Sequence, residues 1–150
     1  MPNTYTKIYI HLVFATETRD SMIRPDMQAE LFAYTAGIVK ELNYFFHCIG
    51  GTEDHIHLLV GMNPDLALSD FVQKVKANTS RFINEKGWLV GTFRWQKGFG
   101  AFSVAHSQLE MVRSYIKNQE QHHHKLSFKD EYEILLQRYQ IEYDSKYVFK

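Results

Sequence analysis

Hydrophobic and polar residues alternate along this chain with two different periods. From Tyr5 to Phe14, Ile8, Ile10, Leu12 and Phe14 alternate with Lys7, Tyr9, His11 and Val13, the two-residue period of a strand. After the polar stretch Glu17 to Arg24 the period lengthens. Pro25 suits the first turn of a helix, and Met27, Leu31, Tyr34, Ile38 and Leu42 follow at helical spacing. Two short strands are expected next, Tyr44 to Ile49 and His55 to Val60, with Gly50-Gly51 supplying a turn. A second helix follows, with Ser69 as its expected cap and Leu68, Phe71, Val72, Val75, Phe82 and Ile83 on one face. Gly87 would end it. Phe93 to Val104 mixes aromatic and small residues and is broken by Gly98 and Gly100, as in a kinked strand or a strand pair. Leu109, Val112 and Ile116 mark another helix, running to about Gln121. The last segment, FKDEYEILLQRYQIEYDSKYVF, reads as a short helix and an extended tail.

The order β-α-β-β-α-β followed by a helix is the split βαβ, ferredoxin-like pattern. The expected class is therefore α+β, an antiparallel sheet with two helices on one face plus a C-terminal helix bearing Tyr115. That helix, or a second subunit, would cover the other face. With no repeat, linker or low-complexity segment, residues 1–150 are expected to form one domain.

Composition narrows the class. Hydrophobic residues make up 45% and charged residues 23%, so the chain reads as globular. No apolar run is long enough to span a bilayer, and MPNTYTKIYIH lacks the parts of a signal peptide. Cys48 is the single cysteine, which excludes an internal disulfide and a Cys-rich zinc site. A cytoplasmic protein without membrane association is the expectation. Lys+Arg and Asp+Glu both number 17, a balance that argues against indiscriminate phosphate binding. The charge is segregated, however. Between Phe71 and Lys97, Lys74, Lys76, Arg81, Lys86, Arg94 and Lys97 face one acid, Glu85. Such a run is either a nucleic-acid surface or a solvated helix face.

Three features carry chemistry. His55 and His57 are two apart on a strand and so share a face, opposite Ile56, Leu58 and Val60. Two neutral imidazoles held side by side can share a divalent cation, or can simply be half-buried. Asp54 is either a partner to that pair or an exposed turn residue; the turn is the simpler reading. Tyr115 and Gln119 are one helical turn apart beside the apolar stripe, where a packed aromatic with a wet hydroxyl is also possible. His122, His123 and His124 point in different directions on a helix, so they read as a solvated helix end rather than a chelate.

Taken together, these segments resemble the IS200/IS605-type single-tyrosine transposases of the HUH endonuclease superfamily, including the REP-associated tyrosine transposases. The resemblance runs through IHLVF at Ile10 to Phe14, EDHIHLLV at Glu53 to Val60, VKANTSRFI at Val75 to Ile83, FRWQKGFGAFSV at Phe93 to Val104 and SYIKNQEQHH at Ser114 to His123. It implies a ferredoxin-like domain that forms a homodimer, the tyrosine helix docking against the histidines of the partner subunit. It implies Tyr115 as nucleophile, and His55, His57 and Gln119 as ligands of Mg2+ or Mn2+. Its implied substrate is single-stranded DNA carrying hairpins, cut and rejoined through a 5′-phosphotyrosine.

Lys74, Lys76, Arg81, Arg94 and Lys97 are the candidate phosphate contacts, and Trp95 and Phe99 the candidate stacking rings, although aromatics in a β segment are commonly core. Other readings remain: a domesticated protein that binds hairpin DNA or RNA without cutting, a replication-initiator or relaxase-like nicking enzyme, and a structural ferredoxin-like domain whose histidines are merely packed.

Overall fold

The computed structural model of the protein describes residues 3–17, 22–119 and 126–144. Four antiparallel strands form one sheet in the order β2-β3-β1-β4: β1 Tyr9–Ala15, β2 Phe45–Gly51, β3 His55–Gly61 and β4 Gly100–Val104. The longer helices are α1 Pro25–Glu41 and α2 Leu68–Lys86, and the shorter ones α3 Leu109–Lys117 and α4 Phe128–Arg138. This is the expected order, including the short helix of the last segment.

Strand alternation decides what each face meets. Ile10, Leu12 and Phe14 of β1 and Ile56, Leu58 and Val60 of β3 join Leu31, Ile38, Phe71, Val75 and Ile83 in the main core, under α1 and α2. The opposite face divides in two. Tyr9, Leu59 and Val104 pack with Ile116 of α3. Val13 and Phe102 pack with Leu135 and Leu136 of α4. With both faces covered, β1 is buried along its whole length, so apolar residues occupy both of its faces.

Several local expectations are corrected. β2 runs straight through Gly50-Gly51, and the turn is made by residues 52–54. A side chain at Gly50 would collide with α3, its Cβ lying 2.1 Å from the Ile116 carbonyl oxygen. Glycine is thus required there for close approach rather than for turning. Ala67, not Ser69, precedes the first turn of α2, with no side-chain cap. Gly87 ends α2 as expected, in the left-handed conformation at φ 66°. Residues 93–99 are largely irregular, and only Gly100–Val104 pairs with β1, while Trp95 makes an isolated bridge to Thr16. Trp95 is core: its indole N–H donates to Thr79 Oγ1 at 2.9 Å, and its ring packs edge-on against Phe14 and Phe93.

Candidate active site

The register of the sheet sets the stage. His55 and His57 emerge on the face covered by α3 and α4, opposite Ala15 and Val13 of β1. Both are essentially buried, at 1% and 0% exposure. Each is held through its Nδ1. His55 Nδ1 donates to Asp54 Oδ1 at 2.7 Å, with Thr52 Oγ1 at 3.0 Å. Asp54 is therefore a turn residue that also orients His55. His57 Nδ1 shares a 2.7 Å hydrogen bond with Nε2 of His11, a buried residue two positions from Val13 on β1. Burial, reinforced by the charge of His57 and opposed by that of Glu131, holds His11 down at about 3, so it is neutral.

Both Nε2 atoms then point to one spot. His55 Nε2 lies 3.2 Å and His57 Nε2 3.1 Å from Oε1 of Glu131 on α4. Gln119, just past the end of α3, brings its Oε1 within 2.8 Å of His55 Nε2. Its Nε2 donates to Glu131 Oε2 at 3.0 Å. The Tyr115 hydroxyl donates to the same Oε2, and its ring lies 5.7 Å from that of His57. The tyrosine helix thus rests on its own sheet. The phenol and imidazoles of one chain meet on this carboxylate.

Electrostatics follow from this crowding. Burial works to lower His55, but hydrogen bonds and charge from Asp54 and Glu131 outweigh it and hold the imidazole up at about 9. Burial would raise Glu131, yet the hydrogen bonds from His55 and His57 pull it well below the usual carboxylate range. Tyr115 is pushed above an ordinary phenol by burial and by the carboxylate beside it. With both of its nitrogens donating, His55 is an imidazolium in this arrangement. A proton stands among Gln119 Oε1, Glu131 Oε1 and the imidazole nitrogens, where a cation could stand instead.

The donor set fits a divalent ion. One ligand atom each from His55, His57 and Glu131 lies within 4.8 Å of the others, and the Gln119 carbonyl completes a mixed nitrogen–oxygen group. Such a set suits Mn2+ at least as well as Mg2+, which favours all-oxygen surroundings.

Glu131 and His11 have no place in the sequence-based site. A sequence signal for Glu131 does exist. It lies three residues after Phe128 and four before Leu135, so it is a carboxylate on the apolar stripe of its helix. Among the candidate phosphate contacts, Lys76 is turned inward, its ammonium donating to the Gln96 and Gly98 carbonyls at 2.8 and 2.5 Å. Burial lowers it to about 8. Arg81 donates to Asn78, and Lys74 and Arg81 sit on α2, in the layer beyond the sheet from the histidines. Arg94 and Lys97 lie on the segment hydrogen-bonded to the end of β1 beside His55. His122, His123 and His124 fall outside the described residues.

Comparison with known proteins places the chain in a family. Solved structures that share the fold include two transposase-related proteins. One is a protein of Deinococcus radiodurans R1 assigned as a candidate transposase, 22% identical over 78% of this chain and 94% of that one, at a TM-score of 0.61. The other is a REP-associated tyrosine transposase bound to a REP hairpin, 13% identical over 76% of this chain and 67% of that one, at a TM-score of 0.57. Among curated proteins no sequence matches it. Residues 4–119 match the family described as Transposase, IS200-like, from before β1 through Gln119. A match of that extent shows membership, and the chain belongs to the IS200-like transposase family.

Proposed function

We propose that this protein is a metal-dependent tyrosine transposase. It cuts hairpin-bearing single-stranded DNA with Tyr115 and rejoins it, working with reacting groups from one protomer. One observation carries the reading: the Tyr115 hydroxyl and the two imidazoles contact the same buried carboxylate, Glu131. A packed tyrosine would have no reason to share a charged partner with a histidine pair. A structural domain would bury apolar residues there at lower cost. The hairpin bound to the REP-associated relative supports hairpin DNA as the substrate class.

His55, His57 and Glu131, with Gln119, would hold the divalent ion. When bound, it would offset the negative charge of the phosphodiester oxygens. Asp54 and His11 fix the two ring orientations from behind, as partners of ligating histidines do elsewhere. Tyr115 attacks phosphorus through its phenol oxygen, forming the Tyr–O–P ester while the bond from phosphorus to the 3′ oxygen breaks. The phenol proton has an acceptor in contact, Glu131 Oε2. The departing strand takes a proton to become a 3′-hydroxyl. The ester retains the bond energy, so another 3′-hydroxyl can reverse the step and join strands.

The test is covalent capture. Purified protein is mixed with single strands carrying imperfect hairpins, with Mn2+ or Mg2+. A denaturation-resistant protein–DNA adduct is expected, and none from Tyr115→Phe. An adduct formed by that variant would overturn the assignment.

A further inference from the structure

Beside the catalytic cluster lies a cavity of about 300 Å3 with an unusual lining. Besides Phe14 of β1, four aromatic residues line it: Phe99 from the segment before β4, and Phe128, Tyr132 and Tyr143 from α4 and beyond. Lys97 adds an exposed cation. The cavity shares walls with the active site. Val13 and Ala15 line it, and they are the β1 partners of His57 and His55. The Phe128 ring packs against the His55 imidazole with centroids 4.7 Å apart.

The pocket is built rather than incidental. Lys76 spends its ammonium on the carbonyls of Gln96 and Gly98, bracing the loop that carries Lys97 and Phe99. Gly98 turns that loop at φ 82°. Gly100 lets the Tyr132 ring lie against the strand, since a Cβ there would sit 2.6 Å from Tyr132 Cε1. Phe128 and Tyr132 stack on each other at 5.3 Å and 18°, so the α4 wall is already ordered. Phe99, in contrast, is 37% exposed.

We propose that this cavity holds one unpaired nucleobase next to the phosphodiester that is cut. The inference rests on the transposase reading and deepens it. A strand cut in its interior continues on both sides of the reacting phosphate. The cavity abutting the histidines is therefore where a neighbouring nucleotide must pass. Its volume is at the low end for small-molecule sites, the scale of a single nucleotide rather than a duplex. Aromatic walls hold unstacked bases, and a lysine at the rim suits the adjoining phosphate. The fold also separates the two stacking candidates of the sequence: Trp95 is consumed by the core, and Phe99 is left to the cavity.

The experiment uses the full chain and a pool of single strands in which randomised positions flank a hairpin. Strands captured covalently with Mn2+ are sequenced. The expected result is a base preference at one position flanking the cut bond, which Phe99→Ala flattens and Phe99→Trp restores. Preferences elsewhere stay unchanged. An abasic nucleotide at that position should weaken capture by the wild type about 5- to 150-fold, the loss of one base–aromatic stack. In Phe99→Ala it should cost almost nothing further, because the two changes remove the same contact. Wild-type capture with the same preferences and efficiency in Phe99→Ala overturns the pocket and leaves the transposase reading intact. No capture of any strand by the wild type overturns the reading, and the pocket with it.

Discussion

Glu131→Gln is the sharpest test of how the polar cluster works. The change is nearly isosteric and removes one negative charge. In the metal-free protein that charge faces the His55 imidazolium. On metal uptake the imidazolium gives way to a dication, so the carboxylate gains roughly one unit of positive charge opposite it. At an effective dielectric near 20, one charge pair about 4 Å apart is worth roughly 4 kcal/mol. The glutamine carbonyl can still coordinate and recovers part of this. A net loss of about 2–3 kcal/mol remains, or roughly 30- to 150-fold weaker Mn2+ binding. The acceptor for the Tyr115 proton is lost as well, which should slow adduct formation by a further ~10²- to 10⁴-fold even at saturating metal. Mn2+ affinity is read by titration calorimetry, adduct formation by denaturing gels, and folding by a cooperative thermal melt. Equal or tighter Mn2+ binding by Glu131→Gln would refute the reasoning, since Glu131 would then plug the histidine pair rather than complete it.

Three further outcomes are expected. Removing the partner of His57 with His11→Phe should weaken Mn2+ binding about 10- to 100-fold, as loss of an orienting hydrogen bond does, with the thermal melt still cooperative. His55 carries a proton up to about pH 9, above its ordinary 6.5. Its contribution to metal-free stability is therefore full below pH 6.5 and lost as pH rises through 9. The metal must displace that proton, so Mn2+ affinity should rise about tenfold per pH unit across this window, with about one proton released near pH 7. Calorimetry in buffers of different ionisation enthalpy reads this proton, and buffer-independent heats would contradict it. Gly50→Ala drives a methyl into the Ile116 carbonyl and should lower stability by about 1–3 kcal/mol. Because Tyr115 precedes Ile116, adduct formation should fall more than the melting temperature alone accounts for.

Periodicity and local chemistry determined much of this protein. Alternation at His55-Ile56-His57 put both imidazoles on one face, and the strand and helix order gave the ferredoxin-like topology. Spacing of four put Tyr115 and Gln119 on one side of a helix end. These are short-range facts, set by backbone geometry within a few residues. The glycines were harder. Gly50-Gly51 carries the composition of a turn, yet it is strand, because its conformation was chosen by α3 passing overhead. Lys76 had the appearance of a phosphate contact until the loop at residues 96–98 supplied two carbonyls for it.

Only the tertiary structure decided which groups meet. Glu131 lies far along the chain from His55 and His57; its place on the apolar stripe of α4 marks it as buried, but only the docking of that helix on the sheet makes the histidines its partners. His11 became part of the site because antiparallel pairing set β1 beside β3 in one register. Docking of α3 on the same sheet brought the phenol to the carboxylate that the imidazoles contact. Local patterns fix which face a side chain takes. The partner it finds there depends on how distant elements pack, and that is settled by burial of the whole chain rather than by any segment of it.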